Sequence, residues 1–157
     1  MVRQFGTAAA VLLALALMPL SVAADTVATK ACNLGRVKAI TSDVEVTTTS
    51  MTYKNILGAR LRFAQGSSSQ CVIVHFSAHA QASGLERMRI RAVIDDGARI
   101  AEPKDIVFVR STISTSAFNF VFTDIPAGSH VVTIQWLSEL GNVVTLFHRS
   151  TIVQFAP

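Results

Sequence analysis

The residues of this sequence best suited to chemistry are two rows of polar side chains at alternate positions. The rows consist of His75, Ser77 and His79, and of Arg87, Arg89 and Arg91. Alternate residues of a β-strand point to the same face, so each row predicts a polar stripe on one side of a strand. If residues 82–85 form a turn, the two strands pair as a hairpin and the six side chains form one basic patch. Since guanidinium groups bind phosphate, sulfate and carboxylate through charge-assisted hydrogen bonds, this patch predicts a site for an anionic ligand such as an acidic glycan.

A second interpretation of these polar residues remains open. The patch is equally the pattern of a solvated face on an amphipathic sheet. A metal site is not predicted, because His75 and His79 on one strand lie about 13 Å apart, too far to share one ion. Asp95 and Asp96 carry suitable calcium ligands, yet aspartates beside Gly97 are typical of a turn.

Catalytic motifs are absent from the sequence. It contains no Gly-x-Ser-x-Gly elbow, no His-Glu-x-x-His and no glycine loop that would cradle phosphate. Ser77 follows His75 on the same face of one strand, but no third group is placed to orient a base. We therefore predict a protein that is not an enzyme and has no cofactor, with a hydrolase whose site is dispersed along the chain as the remaining alternative.

Composition and aromatic placement restrict the partners. A net charge of +4 with 15% charged residues suits a folded domain, whereas a nucleic-acid partner would require a stronger basic field with stacking rings. Phe118, Phe120, Phe122 and Trp136 fall on repeating apolar positions, which predicts a place in the core. Tyr53, within a polar stretch, is the remaining candidate for an exposed ring.

The first 24 residues have the pattern of a secretory signal peptide. Arg3 precedes an apolar run over residues 8–18, Pro19 interrupts it, and small residues end at Ala24, where cleavage is predicted. The apolar run is shorter than the about 20 residues that span a bilayer, and no later run approaches that length. The sequence therefore predicts a single domain over residues 25–157, secreted or periplasmic, without membrane insertion after cleavage.

Cys32 and Cys71 are the two cysteines of the chain. In an oxidising compartment, an even pair is best interpreted as a disulfide. The loop-entropy model gives such a bond about 4 kcal/mol of stability for a loop of this length. A redox-active pair usually has closer spacing, as in Cys-x-x-Cys, so we predict a structural bond that fixes the N-terminal arm.

Hydrophobic residues of the remaining chain recur with a period of two, and β-branched and aromatic residues dominate. Turn residues separate the runs at positions 95–97, 125–128 and 140–142. The last run changes phase, since Val144 and Leu146 lie on one side and Thr151, Val153 and Phe155 on the other; a bulge near residues 148–150 would reconcile them. This pattern predicts an all-β, antiparallel sandwich of about eight strands, with a jelly roll favoured.

Residues 126–136, followed by residues 149–155, resemble the final hairpin of complement-type and tumour-necrosis-factor-like jelly rolls. Secreted bacterial β-sandwich proteins of uncharacterised function carry similar stretches, and the resemblance also includes residues 71–78 and 88–92. It implies a jelly-roll fold and a role in binding or assembly, often as a trimer.

Together these features predict an exported, non-catalytic binding module that takes an anionic ligand through the basic sheet face. The alternative is a structural or assembly subunit that forms an oligomer through its sheet faces or edges.

Overall fold

The computed structural model describes residues 32–66 and 68–157, so the predicted signal peptide lies outside the described residues. The described chain consists of strands and one short 3-10 turn, Asp95–Gly97. No described residue belongs to a helix long and apolar enough to cross a membrane. The strands are β1 Arg36–Ser42, β2 Val46–Thr48, β3 Lys54–Gln65, β4 Gln70–Ala82, β5 Arg87–Ile94, β6 Arg99–Ile100, β7 Ile106–Arg110, β8 Ile113–Ile125, β9 Gly128–Ser138 and β10 Val144–Phe155.

These strands form two antiparallel sheets. Sheet 1 has the order β1-β10-β4-β8, with β2 also paired to β10, and sheet 2 has the order β3-β9-β5-β6, with β7 also paired to β5. Each sheet thus interleaves strands from both halves of the chain, which is the arrangement of a jelly roll. The predicted all-β sandwich is confirmed. The pattern missed β1, because this edge strand is largely exposed, and β6, which has two residues.

The core lies between the sheets and follows the predicted alternation. Even-numbered residues of β4 from Val72 to Ala82 are buried, while His75, Ser77 and His79 face outward from the sandwich. The predicted core aromatics are also confirmed: Phe120, Phe122 and Trp136 are buried, and Phe118 packs partly buried against them. Alternation therefore determined which face of each strand is apolar.

The predicted change of phase in β10 is confirmed as a bulge. The register of β10 against β4 shifts between Leu146 and Arg149, so that both residues point inward. Arg149 is consequently buried, and its guanidinium donates hydrogen bonds to the carbonyl oxygens of Val44, Leu57 and Phe147. Burial lowers the pKa of Arg149. Because Leu57 belongs to sheet 2, this buried side chain joins the two sheets.

The connection between β4 and β5 crosses from one sheet to the other. Residues 83–86 connect the two strands, one position later than the turn predicted at residues 82–85, but β4 pairs with β10 and β8, whereas β5 pairs with β9, β6 and β7. The predicted hairpin between β4 and β5 is therefore wrong. The physical reason for the difference is that both strands have one apolar face. By crossing between the sheets, the chain directs both of these faces into the same core.

Glu86 ends this crossing and is fully buried. Its Oε1 accepts hydrogen bonds from the backbone N–H groups of Arg87 at 2.8 Å and Leu140 at 2.9 Å, and its Oε2 accepts one from Asn142 at 2.8 Å. Burial by itself would raise the pKa of Glu86, but these N–H groups outweigh it and lower the pKa to about 2. The carboxylate thereby ties the β4–β5 crossing to the β9–β10 turn.

The predicted disulfide between Cys32 and Cys71 is confirmed, with a Cα–Cα distance of 5.4 Å. It attaches the segment before β1 to the start of β4. This attachment lies at the end of the sandwich opposite to Glu86, since β4 begins here and ends at the crossing.

We expect Glu86 to make the free energy of unfolding depend on pH in the acidic range. A carboxyl whose pKa is lower in the folded state than in the unfolded state stabilises the fold above its unfolded pKa of about 4.3 and loses this contribution as pH falls towards its folded pKa. The contribution is about 3 kcal/mol near neutral pH. Urea unfolding of Glu86→Gln should give a free energy of unfolding about 2–3 kcal/mol below that of the wild type near neutral pH, because backbone N–H groups lose a charged acceptor.

The difference between wild type and Glu86→Gln should shrink as pH falls from about 5 towards the folded pKa of Glu86, about 2, because the carboxyl of the wild type becomes protonated. Glu45→Gln, at an exposed position, serves as the control and should leave the profile unchanged. A difference that stays constant over this range would contradict the role assigned to Glu86.

Candidate functional site

The sandwich separates the two predicted polar rows. His75, Ser77 and His79 lie on the outer face of sheet 1, and Arg87, Arg89 and Arg91 lie on the outer face of sheet 2. The single basic patch expected from the sequence does not form, because the core lies between its two halves. Each row therefore has its own set of neighbours on its own sheet.

Charged side chains lie at the borders of the outer face of sheet 1, where Glu102 is opposite Val121 and Asp43 is beside the groove, and not at its centre. The outward residues of β1, β10, β4 and of β8 as far as Val121 include no Lys, Arg, Asp or Glu. We call this surface the uncharged face. Its central positions are Ala39, Ile73, His75, Ser77, His79, Ala117, Asn119, Ser150 and Ile152. Within it, His75 Nδ1 lies 2.6 Å from Asn119 Oδ1, so the ring donates to the amide oxygen of the opposite strand.

A shallow groove of about 430 Å³ crosses one part of the uncharged face. Ser77, Ser150, Thr41 and Thr115 line it with hydroxyl groups. His79 lies at its border, with its ring 5.3 Å from Phe147. Hydroxyls and imidazoles can donate and accept hydrogen bonds, so this groove suits a polar surface or ligand.

His148 and Asp43 border the same groove at its edge. Their side chains pair at 3.1 Å between His148 Nδ1 and Asp43 Oδ1, and His148 stacks beside His79 with ring centroids 6.5 Å apart. Within residues 32–66 and 68–157, no group of three or more His, Cys, Asp or Glu side chains is arranged to hold a metal ion. No pattern in the sequence predicts this pair, since 105 positions separate its members.

Two of the three predicted arginines are engaged within sheet 2. Arg89 forms a salt bridge with Asp105 and lies 3.9 Å from Glu139. The hydrogen bond to Asp105 is the main reason that the pKa of Arg89 is raised, and the same contact lowers the pKa of Asp105. Arg91 donates to Gln135 Oε1 at 2.8 Å. These contacts stabilise the sheet and leave Arg87 as the most accessible arginine of the row.

Tyr53 does not present the exposed ring that its sequence context suggests. The guanidinium of Arg91 lies over its ring, 3.9 Å from the centroid, and the side chain is partly buried. Burial first, and then the negative charge of Asp105, raise the pKa of Tyr53, while Arg89 opposes them. The ring is thus a covered member of the sheet 2 network.

Arg87 meets a second arginine that sequence reasoning missed. Arg110, at the end of β7, lies directly opposite Arg87 of β5, and both line a hollow of about 410 Å³. The hollow is completed by Leu85, Ser111, Glu139 and Leu140. Glu139 lies 3.6 Å from Arg87, where it neutralises part of the charge. Two guanidinium groups with a neighbouring hydroxyl are suited to binding an anion.

Comparisons with known proteins find distant structural similarity, so the fold is assigned from the sheet topology described above. No family model and no curated protein matches the chain. A solved structure of Bacillus endospore appendages, which are disulfide-linked pili, is similar with a TM-score of 0.38 and 16% identity, covering 83% of this chain and 99% of that chain. The carbohydrate-binding module of a Cellvibrio mixtus lichenase, in complex with cellotriose, has a TM-score of 0.36 and 14% identity over 76% of this chain and 90% of that one. Similarities this distant carry no argument about function.

We expect the sheet 2 network to be visible in the titration of Tyr53, which is the single tyrosine of the chain. Asp105→Asn should lower the pKa of Tyr53, because it removes the negative charge that disfavours the phenolate and frees Arg89, which favours it. Ultraviolet absorbance of the phenolate, followed with increasing pH, measures this pKa directly. Asp96→Asn, whose carboxylate pairs with Arg60 instead, is the control. An equal tyrosine pKa in both variants would show that Asp105 does not act on the ring.

Proposed function

We propose that this protein is an exported, non-catalytic binding module whose anionic ligand occupies the hollow between Arg87 and Arg110. The single observation that carries the proposal is the direct opposition of these two arginines across β5 and β7. The disulfide supports an oxidising compartment outside the cytoplasm, either periplasmic or extracellular.

The energetic argument concerns like charges. Two cations directly opposite each other on neighbouring strands destabilise a sheet unless an anion lies between them. Glu139 is the carboxylate closest to this role, but it is shared between Arg87 at 3.6 Å and Arg89 at 3.9 Å. A phosphate, sulfate or carboxylate group in the hollow would bind both guanidinium groups and relieve their repulsion.

We expect calorimetry with a sulfated, heparin-derived oligosaccharide to detect this site. Arg87→Ala and Arg110→Ala should each weaken binding about tenfold, since each removes a charge-assisted hydrogen bond. Glu139→Gln should strengthen it, because the internal competitor for Arg87 is neutralised. Added salt should weaken binding most for the wild type and least for the double variant Arg87→Ala/Arg110→Ala.

Arg62→Ala is the matched control, because it removes the same charge from an exposed position of sheet 2 away from the hollow. If Arg62→Ala weakens binding as much as the hollow variants do, net charge rather than a site is responsible. Unchanged binding by the double variant Arg87→Ala/Arg110→Ala would refute the proposal outright.

A second candidate function is assembly, and the uncharged face favours it. A solvated sheet face usually carries charged side chains, as sheet 2 does with Arg60, Arg62 and Arg87. The uncharged face instead has small and apolar residues around its centre, and two copies related by a two-fold axis would meet there without like-charge repulsion. We propose that a second copy of the chain packs on this face.

Sedimentation velocity tests this assembly. The wild type should form a defined oligomer as its concentration rises, and Ala117→Arg should remain monomeric because it places a charge at an exposed central position of the uncharged face. Ser129→Arg, at an exposed position of β9 in sheet 2, should assemble like the wild type. A wild type that stays monomeric at its highest soluble concentration would disprove assembly through this face.

A further inference from the structure

One end of the sandwich presents large apolar side chains at its loop tips. Four connections meet there: residues 49–53, 83–86, 111–112 and 139–143. We call this region the loop end. Leu85 is 86% exposed, Met51 64% and Leu140 57%, although each is large enough to belong in a core. Exposed apolar side chains that are grouped in this way are typical of an interaction surface.

The loop end is held rigidly, so the exposure of its tips is built into the fold. Glu86 binds the backbone of the 139–143 turn through Leu140 and Asn142. The N–H of Ser138 donates to the carbonyl oxygen of Ser50 at 2.8 Å, and the hydroxyl of Ser83 donates to that of Val143 at 3.3 Å. These bonds join three of the four connections to one another, and the tips therefore cannot easily fold back onto the sandwich.

Charge distinguishes the loop end from the opposite end of the sandwich. Within its four connections the acidic residues are Glu86, which is buried, and Glu139, which is shared by Arg87 and Arg89. Arg87 and Arg110 border the tips and make the surface cationic. The opposite end instead exposes charges of both signs at Asp96, Arg99 and Lys104.

The order of these groups along the strands matches the layers of a membrane surface. Leu85 lies in the turn before β5 and Arg87 is the first residue of that strand, so the apolar side chain lies closer to the tip of the sandwich than the arginine does. Apolar side chains that enter the boundary between headgroups and acyl chains reach about 5–10 Å into it, while basic residues remain level with the phosphates. The same hollow contains both kinds of residue, Leu85 and Leu140 beside Arg87 and Arg110.

We infer that the loop end docks on an anionic membrane surface, with Leu85, Met51 and Leu140 entering the interface and the Arg87–Arg110 hollow binding a lipid phosphate. This inference rests on the anion site proposed above and specifies its ligand. The tips are aliphatic and project from separate turns, whereas the core of a protein interface is usually enriched in aromatic residues that fill a complementary pocket. The docking is peripheral and requires no membrane-spanning segment.

The test measures binding of the protein, purified after its export, to sedimented vesicles. Vesicles of phosphatidylcholine alone are compared with vesicles that contain phosphatidylglycerol as well. The wild type should bind the anionic vesicles and should bind the neutral ones at least tenfold more weakly. Met51→Ser, at a tip that does not line the hollow, should lose about tenfold in affinity for anionic vesicles while it keeps the affinity of the wild type for the sulfated oligosaccharide. Ile100→Ser, which removes an exposed apolar side chain at the opposite end, is the control and should bind like the wild type.

Each other outcome contradicts a defined part of the inference. Binding of Met51→Ser to vesicles with the affinity of the wild type would show that the tips do not enter the membrane. Oligosaccharide binding without vesicle binding would overturn membrane docking alone and would leave a soluble acidic ligand or protein as the partner. If the wild type binds neither the anionic vesicles nor the oligosaccharide, the anion site is overturned together with the inference that rests on it.

Discussion

The buried carboxylate of Glu86 is the constraint on which the functional end of this molecule depends. The chain must cross from sheet 1 to sheet 2 between Ala82 and Arg87, and a crossing this short leaves little backbone with which to satisfy the groups around it. Glu86 accepts hydrogen bonds from three backbone N–H groups, two of which belong to the β9–β10 turn. An anion is stable without a basic partner there because oriented backbone dipoles replace its hydration. The neighbouring positions, Leu85 and Arg87, are thereby fixed on either side of a rigid anchor.

The jelly-roll order then decides which polar groups meet. Consecutive strands β4 and β5 lie in different sheets, so the row of His75, Ser77 and His79 and the row of arginines face away from each other. Sheet 2 carries the charged side chains, and some of them pair with carboxylates of neighbouring connections, as Arg89 does with Asp105. The outer face of sheet 1 carries hydroxyl groups, imidazole rings and small apolar side chains. The two faces of one sandwich are therefore suited to different partners, and the end at which the crossing lies is suited to a third.

A second buried ion, Arg149, shows how the edge of the sandwich is closed. The bulge in β10 turns this residue inward, where its guanidinium donates to carbonyl oxygens on β3 and on the β1–β2 connection. Bulges leave carbonyl groups without partners in the ladder, and a side chain with five donors can satisfy several of them at once. Glu86 and Arg149 thus have complementary roles, since the carboxylate binds N–H groups at one connection and the guanidinium binds carbonyl groups at another.

From the amino-acid sequence alone one can predict the class of fold, the inward face of each long strand, the aromatic core, the disulfide and the bulge in β10. These features depend on local alternation, on turn residues and on a cysteine pair that had one way to join. The sequence also identified the polar rows, including Arg87. The folded structure is needed to show that the rows lie on opposite faces, that Arg110 stands opposite Arg87, and that Glu86 and Arg149 are buried. Alternation shows which side of a strand is apolar, but it does not show which sheet the strand joins. Two strands can direct their apolar faces into the same core as neighbours in one sheet or as members of opposite sheets, and the residue pattern is the same in both cases.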